Sequence, residues 1–153
     1  MSASPQHLKP ACGIASVSVV PAGAAAGGSP SEIAVSAEPV PLIEGRSSYD
    51  EISDMRDGIL RVEHRLTIAV PAEYAHSRFD AESYRRWAAF GTCAVVAAVS
   101  GERYVVGWSE RFGAGQPLRL TSVEDSTGTS PHAVPAVVLT LRSVDASPAT
   151  RIF

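Results

Sequence analysis

The stretch Ile59-Leu60-Arg61-Val62-Glu63-His64-Arg65-Leu66-Thr67-Ile68-Ala69-Val70 decides the fold class of this 153-residue chain. Alternate positions carry Leu60, Val62, His64, Leu66, Ile68 and Val70, and the positions between them carry Arg61, Glu63, Arg65 and Thr67. A period of two sustained this long is a strand with one face in a core and the other in water. Pro71 ends it, because a proline cannot donate to a sheet ladder. Upstream, Asp54-Met55-Arg56-Asp57-Gly58 supplies turn chemistry with Asp-Gly at its end. Before the turn, Ser47, Tyr49 and Glu51 alternate with Ser48, Asp50 and Ile52, so residues 45–70 are expected to form a long hairpin.

Downstream, a complete helix signal covers about 80–90. Asp80 is a good N-cap, and Phe79 before it can meet Tyr84 in a hydrophobic staple. Ala81, Tyr84, Trp87 and Ala88 share one face, Glu82 and Arg86 can pair on another, and Gly91 suits a left-handed terminal position. Residues 93–99 and 103–108 read as a second hairpin around Ser100-Gly101-Glu102, with Tyr104, Val106 and Trp108 on one face. A loop over 109–116 presents Phe112. Strands follow over 118–123 and 137–144, joined by a polar connection, and a short tail runs over 146–153. Strands and helices do not alternate. The expected fold is a β-rich α+β protein, an antiparallel sandwich or barrel of six to eight strands with one packed helix.

Residues 1–43 differ in composition. They hold six of the eleven prolines but only three charged residues, Lys9, Glu32 and Glu38. Residues 14–20 alternate like a half-buried strand. In 33–43, Pro39 and Pro41 demote the run to an edge strand or an extended arm. The expected organisation is a Pro/Ala-rich N-terminal arm over 1–43 and a single β-rich domain over 44–153, the arm being apolar enough to need burial against something, such as another subunit.

Composition narrows the function. Hydrophobic residues make up 45% and charged residues 19%, a globular balance. The longest apolar run, Cys93-Ala94-Val95-Val96-Ala97-Ala98-Val99, is too short to cross a bilayer as a helix. Net charge is −3, which argues against a nucleic-acid binder with a basic face. Cys12 and Cys93 stand too far apart for a zinc knuckle and read as free thiols in a reducing compartment.

Candidate chemistry is sparse. His64 on the apolar face reads as a metal ligand or general base, or as a core histidine bonded to a neighbour; the second is the better reading, because no other His, Cys or carboxylate stands two residues away on that face. His76 and His132 fall in expected loops near Asp80 and Asp125, without the strand–turn–helix elbow that a Ser/His/Asp triad would want. Cys93 reads as a small hydrophobe. Gly113-Ala114-Gly115 is too short to cradle a phosphate. Tyr84, Trp87, Tyr104 and Trp108 read as packing between the helix and the second hairpin rather than as a base-stacking platform. No catalytic residue, metal site, cofactor or small-molecule substrate is expected. The charged hairpin tip from Asp50 to Asp57 reads equally as a solvated turn and as a contact arm.

The order of strand, long hairpin, strand, helix, hairpin and two strands resembles the tail-tube fold of bacteriophage tails. The resemblance covers about 45–145. It rests on the hairpin at Asp57-Gly58, the strand Gly58-Ile59-Leu60-Arg61-Val62-Glu63-His64-Arg65-Leu66-Thr67-Ile68, the helix at 80–90, and the Gly128-Thr129 loop before Val137-Val138-Leu139-Thr140-Leu141. The stretch from Tyr104-Val105-Val106-Gly107-Trp108 to Pro117-Leu118-Arg119-Leu120 also looks like prophage-encoded structural proteins. The resemblance implies a non-enzymatic virion protein, assembled in the bacterial cytoplasm. Copies of such a protein form rings that stack around a channel through which DNA passes. It further implies subunit contacts at Tyr49, Ile52, Met55 and Phe112. Related readings are a head–tail connector, a tail-completion protein or a capsid decoration protein. A bacterial binding module outside phages, or a small enzyme, would be marked by a pocket where His64 or His76 meets a carboxylate.

Overall fold

The computed structural model describes residues 13–25, 28–43, 45–109, 113, 115–126, 135–145 and 148–152. Nine strands lie among them: β1 (Ile14–Pro21), β2 (Glu38–Val40), β3 (Ser48–Arg56), β4 (Ile59–Pro71), β5 (Thr92–Ala98), β6 (Arg103–Val106), β7 (Arg119–Ser126), β8 (Ala136–Asp145) and β9 (Thr150–Ile152). The helices are α1 (Ala22–Ala25), α2 (Pro30–Ser36), α3 (Ala72–Arg78) and α4 (Ala81–Ala89). All strand pairs are antiparallel, in a four-stranded sheet ordered β3-β4-β8-β7 and a five-stranded sheet ordered β9-β6-β5-β1-β2. The protein is a β-rich α+β sandwich. Its helical content exceeds the single helix expected.

The register of the first sheet follows from the turn between β3 and β4. Asp57 and Gly58 both take positive φ, 52° and 78°, as a two-residue hairpin turn of the mirror-image type requires. Counting outward, Tyr49 lies opposite Leu66, Glu51 opposite His64 and Met55 opposite Leu60. The core face of β4 is then Val62, His64, Leu66, Ile68 and Val70, each buried. It packs against Val17, Ala94, Val96 and Val106 of the other sheet.

The five-stranded sheet is buried on both faces. Its second face carries Val20, Cys93, Val95 and Val105, and α2 lays Ile33, 2% exposed, across them. Ser29 caps α2: its hydroxyl oxygen accepts from Glu32 N–H at 3.3 Å and its hydroxyl donates to the Glu32 carboxylate at 3.1 Å, with Pro30 opening the first turn.

The described part of residues 1–43 is therefore no appended arm. Strand β1 pairs with β5 along its length and β2 forms the edge beside it, so residues 14–40 belong to the main fold. Pro39 does lie on an edge strand, but 30–36 is helical where an extended run was expected. The first twelve residues lie outside the described set, as does the Gly128-Thr129 loop. The C-terminal tail is also structural, since β9 extends the five-stranded sheet beside β6.

Helix α4 begins where Asp80 accepts from Ser83 N–H at 2.8 Å. Phe79 meets Tyr84 and Trp87 edge-on, with ring centroids 6.3 and 4.8 Å apart, and Tyr74 of α3 closes the group at 5.7 Å. The aromatic set expected to fill one interface is divided. Tyr84 and Trp87 belong to this cluster, while Tyr104 stands beside Tyr49 at another part of the sandwich. Trp108 joins the α2 side, because Gly107 at φ 91° breaks the alternation after Val106.

Two glycines at similar φ separate backbone conformation from crowding. A Cβ on Gly91 would lie 2.6 Å from the Pro117 ring and 2.9 Å from the Leu118 carbonyl oxygen, whereas one on Gly58 would meet nothing within 4 Å. Gly58→Ala is expected to cost about 1 kcal/mol from the unfavourable φ alone, and Gly91→Ala clearly more, of order 2–3 kcal/mol. Urea denaturation of the two variants checks the order; equal costs would mean that the Pro117 contact relaxes freely.

The acid limb of stability follows from two carboxylates. Hydrogen bonds from Arg142 and Arg65 hold Glu63 below the usual carboxylate range, and hydrogen bonds from Ser83 do the same for Asp80. Groups with depressed folded-state values contribute stability that is fully present above the unfolded carboxylate range and lost as pH falls through the folded values. Denaturation midpoints are expected to fall on acidification, and to fall less when Glu63→Gln and Asp80→Asn are combined.

Candidate functional site

Because the turn places Glu51 opposite His64, and Tyr49 one step along the same face, three polar side chains converge on the core side of the first hairpin. His64 is 3% exposed. Its Nδ1 shares a hydrogen bond of 2.7 Å with Tyr49 Oη and lies 3.4 Å from Glu51 Oε1; the Tyr49 and His64 rings are nearly parallel. Glu51 Oε1 also accepts from Ala149 N–H at 2.7 Å, which ties the start of the C-terminal segment to the hairpin. Burial, then the charge of Glu51, push the Tyr49 phenol far above its ordinary range, so it stays protonated.

These groups back a cleft of about 350 Å³ between the two sheets, lined by Ser48, Tyr49, Asp50 and Glu51 on one side and by Gly13, Ile14, Val96, Ala98 and Tyr104 on the other. Tyr104 donates to the Glu102 carboxylate, which raises its phenol. Arg151 donates to Glu102 at 3.2 Å, and its guanidinium sits 5.8 Å over the Tyr104 ring. A void of about 20 Å³ beside Phe79 and Trp87 is too small for an organic ligand.

The expected candidates are distributed as follows. Tyr49 is half-buried rather than exposed: it faces inward, packs on the core, and its phenol hydrogen-bonds His64. Ile52 and Met55 are exposed, 48% and 64%, on opposite faces of the hairpin. Phe112 and His132 lie outside the described residues. His76 pairs not with Asp80 but with Asp125, 2.7 Å away on β7, in an exposed ion pair. Cys93 is buried, its thiol pushed up to about 11 by burial, and its Sγ donates to the Gly107 carbonyl at 3.3 Å. Among the described residues no three His, Cys, Asp or Glu side chains gather to hold a metal ion, and no helix is long and apolar enough to cross a membrane.

Spacing along one strand does not reveal the Glu51–His64 approach, because the two residues stand on different strands. The signal lay across the turn: counting back from Asp57-Gly58 pairs the two positions.

The tip of the hairpin is the other candidate surface. The last rung of β4 on β8 is Val62 with Asp145, so the pairs Asp54/Arg61, Met55/Leu60 and Arg56/Ile59 project beyond the sheet. Ile59 lies on one face of this extension, with Ile52 just before it on the same face, and Met55 and Leu60 lie on the other; all four are exposed. Strand β3 is an edge of its sheet for its whole length.

No protein-family model, curated protein or solved structure matches this chain.

Removing the Tyr49 hydroxyl withdraws a partner from a buried ring nitrogen while keeping the packing. Tyr49→Phe is expected to lower stability by about 1–3 kcal/mol in urea denaturation. No change would mean that His64 Nδ1 is satisfied without the phenol.

Proposed function

We propose that this chain is a non-enzymatic structural protein of a virion, of the phage tail type, that assembles with copies of itself into rings or tubes. The observation that carries the reading is the β3–β4 hairpin. Natural proteins blunt sheet edges with short strands, charged side chains, prolines or bulges, because an open edge pairs with other chains. Here the edge strand carries four charged residues but is nine residues long, has no proline, and ends in an extension with exposed apolar side chains on both faces. A neighbouring copy that paired with β3 or covered Met55 and Leu60 would remove both features from water.

The outer face of the four-stranded sheet is compatible with a channel wall. Glu63 binds Arg65 at 2.8 Å and Arg142 at 2.7 Å, so one carboxylate holds both central guanidinium groups and offsets half of their charge. A connector, tail-completion or decoration role would use the same surface without stacking. A second reading, a bacterial binding module, is favoured by one observation, the cleft beside Glu51 and His64.

Negative-stain microscopy and light scattering over a concentration series test the proposal. Rings or tubes are expected from the unaltered chain. Ile52→Asp with Met55→Asp is expected to yield only monomer with an unchanged near-ultraviolet circular dichroism spectrum. Rings that never stack would point to a connector. Monomer at every concentration, or assembly unaffected by the double substitution, overturns the hairpin assignment.

A further inference from the structure

We infer that the cleft between β3 and the β1–β5–β6 face is a binding site for a small organic cation, an amine or guanidinium compound with an aliphatic chain. Four features of the cleft specify that class. Glu51 places a carboxylate at one wall. The Glu51 carboxylate is set in position before any ligand arrives, by Ala149 N–H on one oxygen and by His64 behind it, so little ordering remains to be done on binding. Tyr49 and Tyr104 contribute aromatic surface to the two sides, and tyrosine rings attract cations through their faces. Ile14, Val96 and Ala98 line the remaining wall and suit methylene groups.

The protein already uses this chemistry at the adjoining position. The Arg151 guanidinium lies over the outer part of the same group, 5.8 Å from the Tyr104 ring centre, while bonding the Glu102 carboxylate at 3.2 Å. A cation held by Glu51 and Tyr104 from within the cleft would repeat that pairing of carboxylate and tyrosine. An anion would face Glu51 with no cationic side chain in the lining to offset it. The cleft volume of about 350 Å³ fits a molecule of a few carbons with a charged head, at the lower end of ordinary ligand sites.

Agmatine, which carries an amine and a guanidinium on a short chain, is the probe, and 1,5-pentanediol is its uncharged counterpart. Titration calorimetry and amide chemical shifts on the full chain read the binding. Saturable one-to-one binding of agmatine is expected, with shifts at Ser48, Glu51, Ala98 and Tyr104, weakening as sodium chloride is added. Affinity is expected to fall about tenfold or more in Glu51→Gln and in Tyr104→Ala, through loss of a charge-assisted contact and of the ring face. Because Glu51 also touches His64, Tyr104→Ala serves as the second variant, and Asp50→Asn, on the outer face of β3, is the control expected to leave both affinity and denaturation midpoint unchanged. Equal shifts from agmatine and pentanediol, no saturation, or undiminished affinity in both Glu51→Gln and Tyr104→Ala overturns the inference. None of these outcomes depends on whether the chain forms rings.

Discussion

The Asp57-Gly58 turn is the constraint on which the rest depends. Two consecutive residues at positive φ admit one tight hairpin geometry, and that geometry fixes which residue of β3 faces which residue of β4. A slip of one position would carry Val62, Leu66 and Ile68 into water and Arg61, Arg65 and Thr67 into the core. The turn therefore protects the burial of the whole β4 face, and through it the seat of β8, which pairs with β4 from Val62 to Pro71. It also brings Tyr49 and Glu51 to His64. The buried histidine is tolerated because the same register delivers its polar partners.

Much of this was legible. Twelve residues of strict alternation defined β4, Asp-Gly defined the turn, and Asp80 with Phe79 defined the start of α4. These signals are local, and each states a backbone geometry by itself. Helix α2 shows a signal present but read past: Ser29 and Glu32 form a capping box, with Pro30 at the first helical position. The prolines nearby point to loops and edges, which holds for Pro39 and Pro41 but not for Pro30, at the start of α2. Trp108 shows the opposite problem. Period-two counting from Tyr104 and Val106 put it on their face, and one glycine with φ 91° sent it to the other.

The candidate site was legible only in part. His64 was visible as a polar residue on an apolar face, but its environment comes from three segments distant in sequence: the hairpin, the β5–β6 sheet and the turn before β9. Composition and periodicity do not report how two sheets approach. Ile52 is exposed because it stands on the outer face of the hairpin, whereas Tyr49 stands on the core face under the opposing sheet. Met55 shares the face of Tyr49 and is exposed because its rung lies beyond the end of β8 at Asp145, a fact outside the hairpin itself.

The five-stranded sheet is assembled from residues 14–40, 92–106 and 150–152, so its centre pairs β1 with a strand more than seventy positions later. The β3–β4 hairpin needs only its own residues. During synthesis the hairpin can therefore form while β1 still waits for β5 to leave the ribosome, its apolar faces uncovered in the interval. Ser16 and Ser18, standing between Val17, Val19 and Val20, lower the stickiness of that waiting strand. The long-range pairing at the middle of the sheet means that β1 meets its partner only after more than seventy further residues have been made.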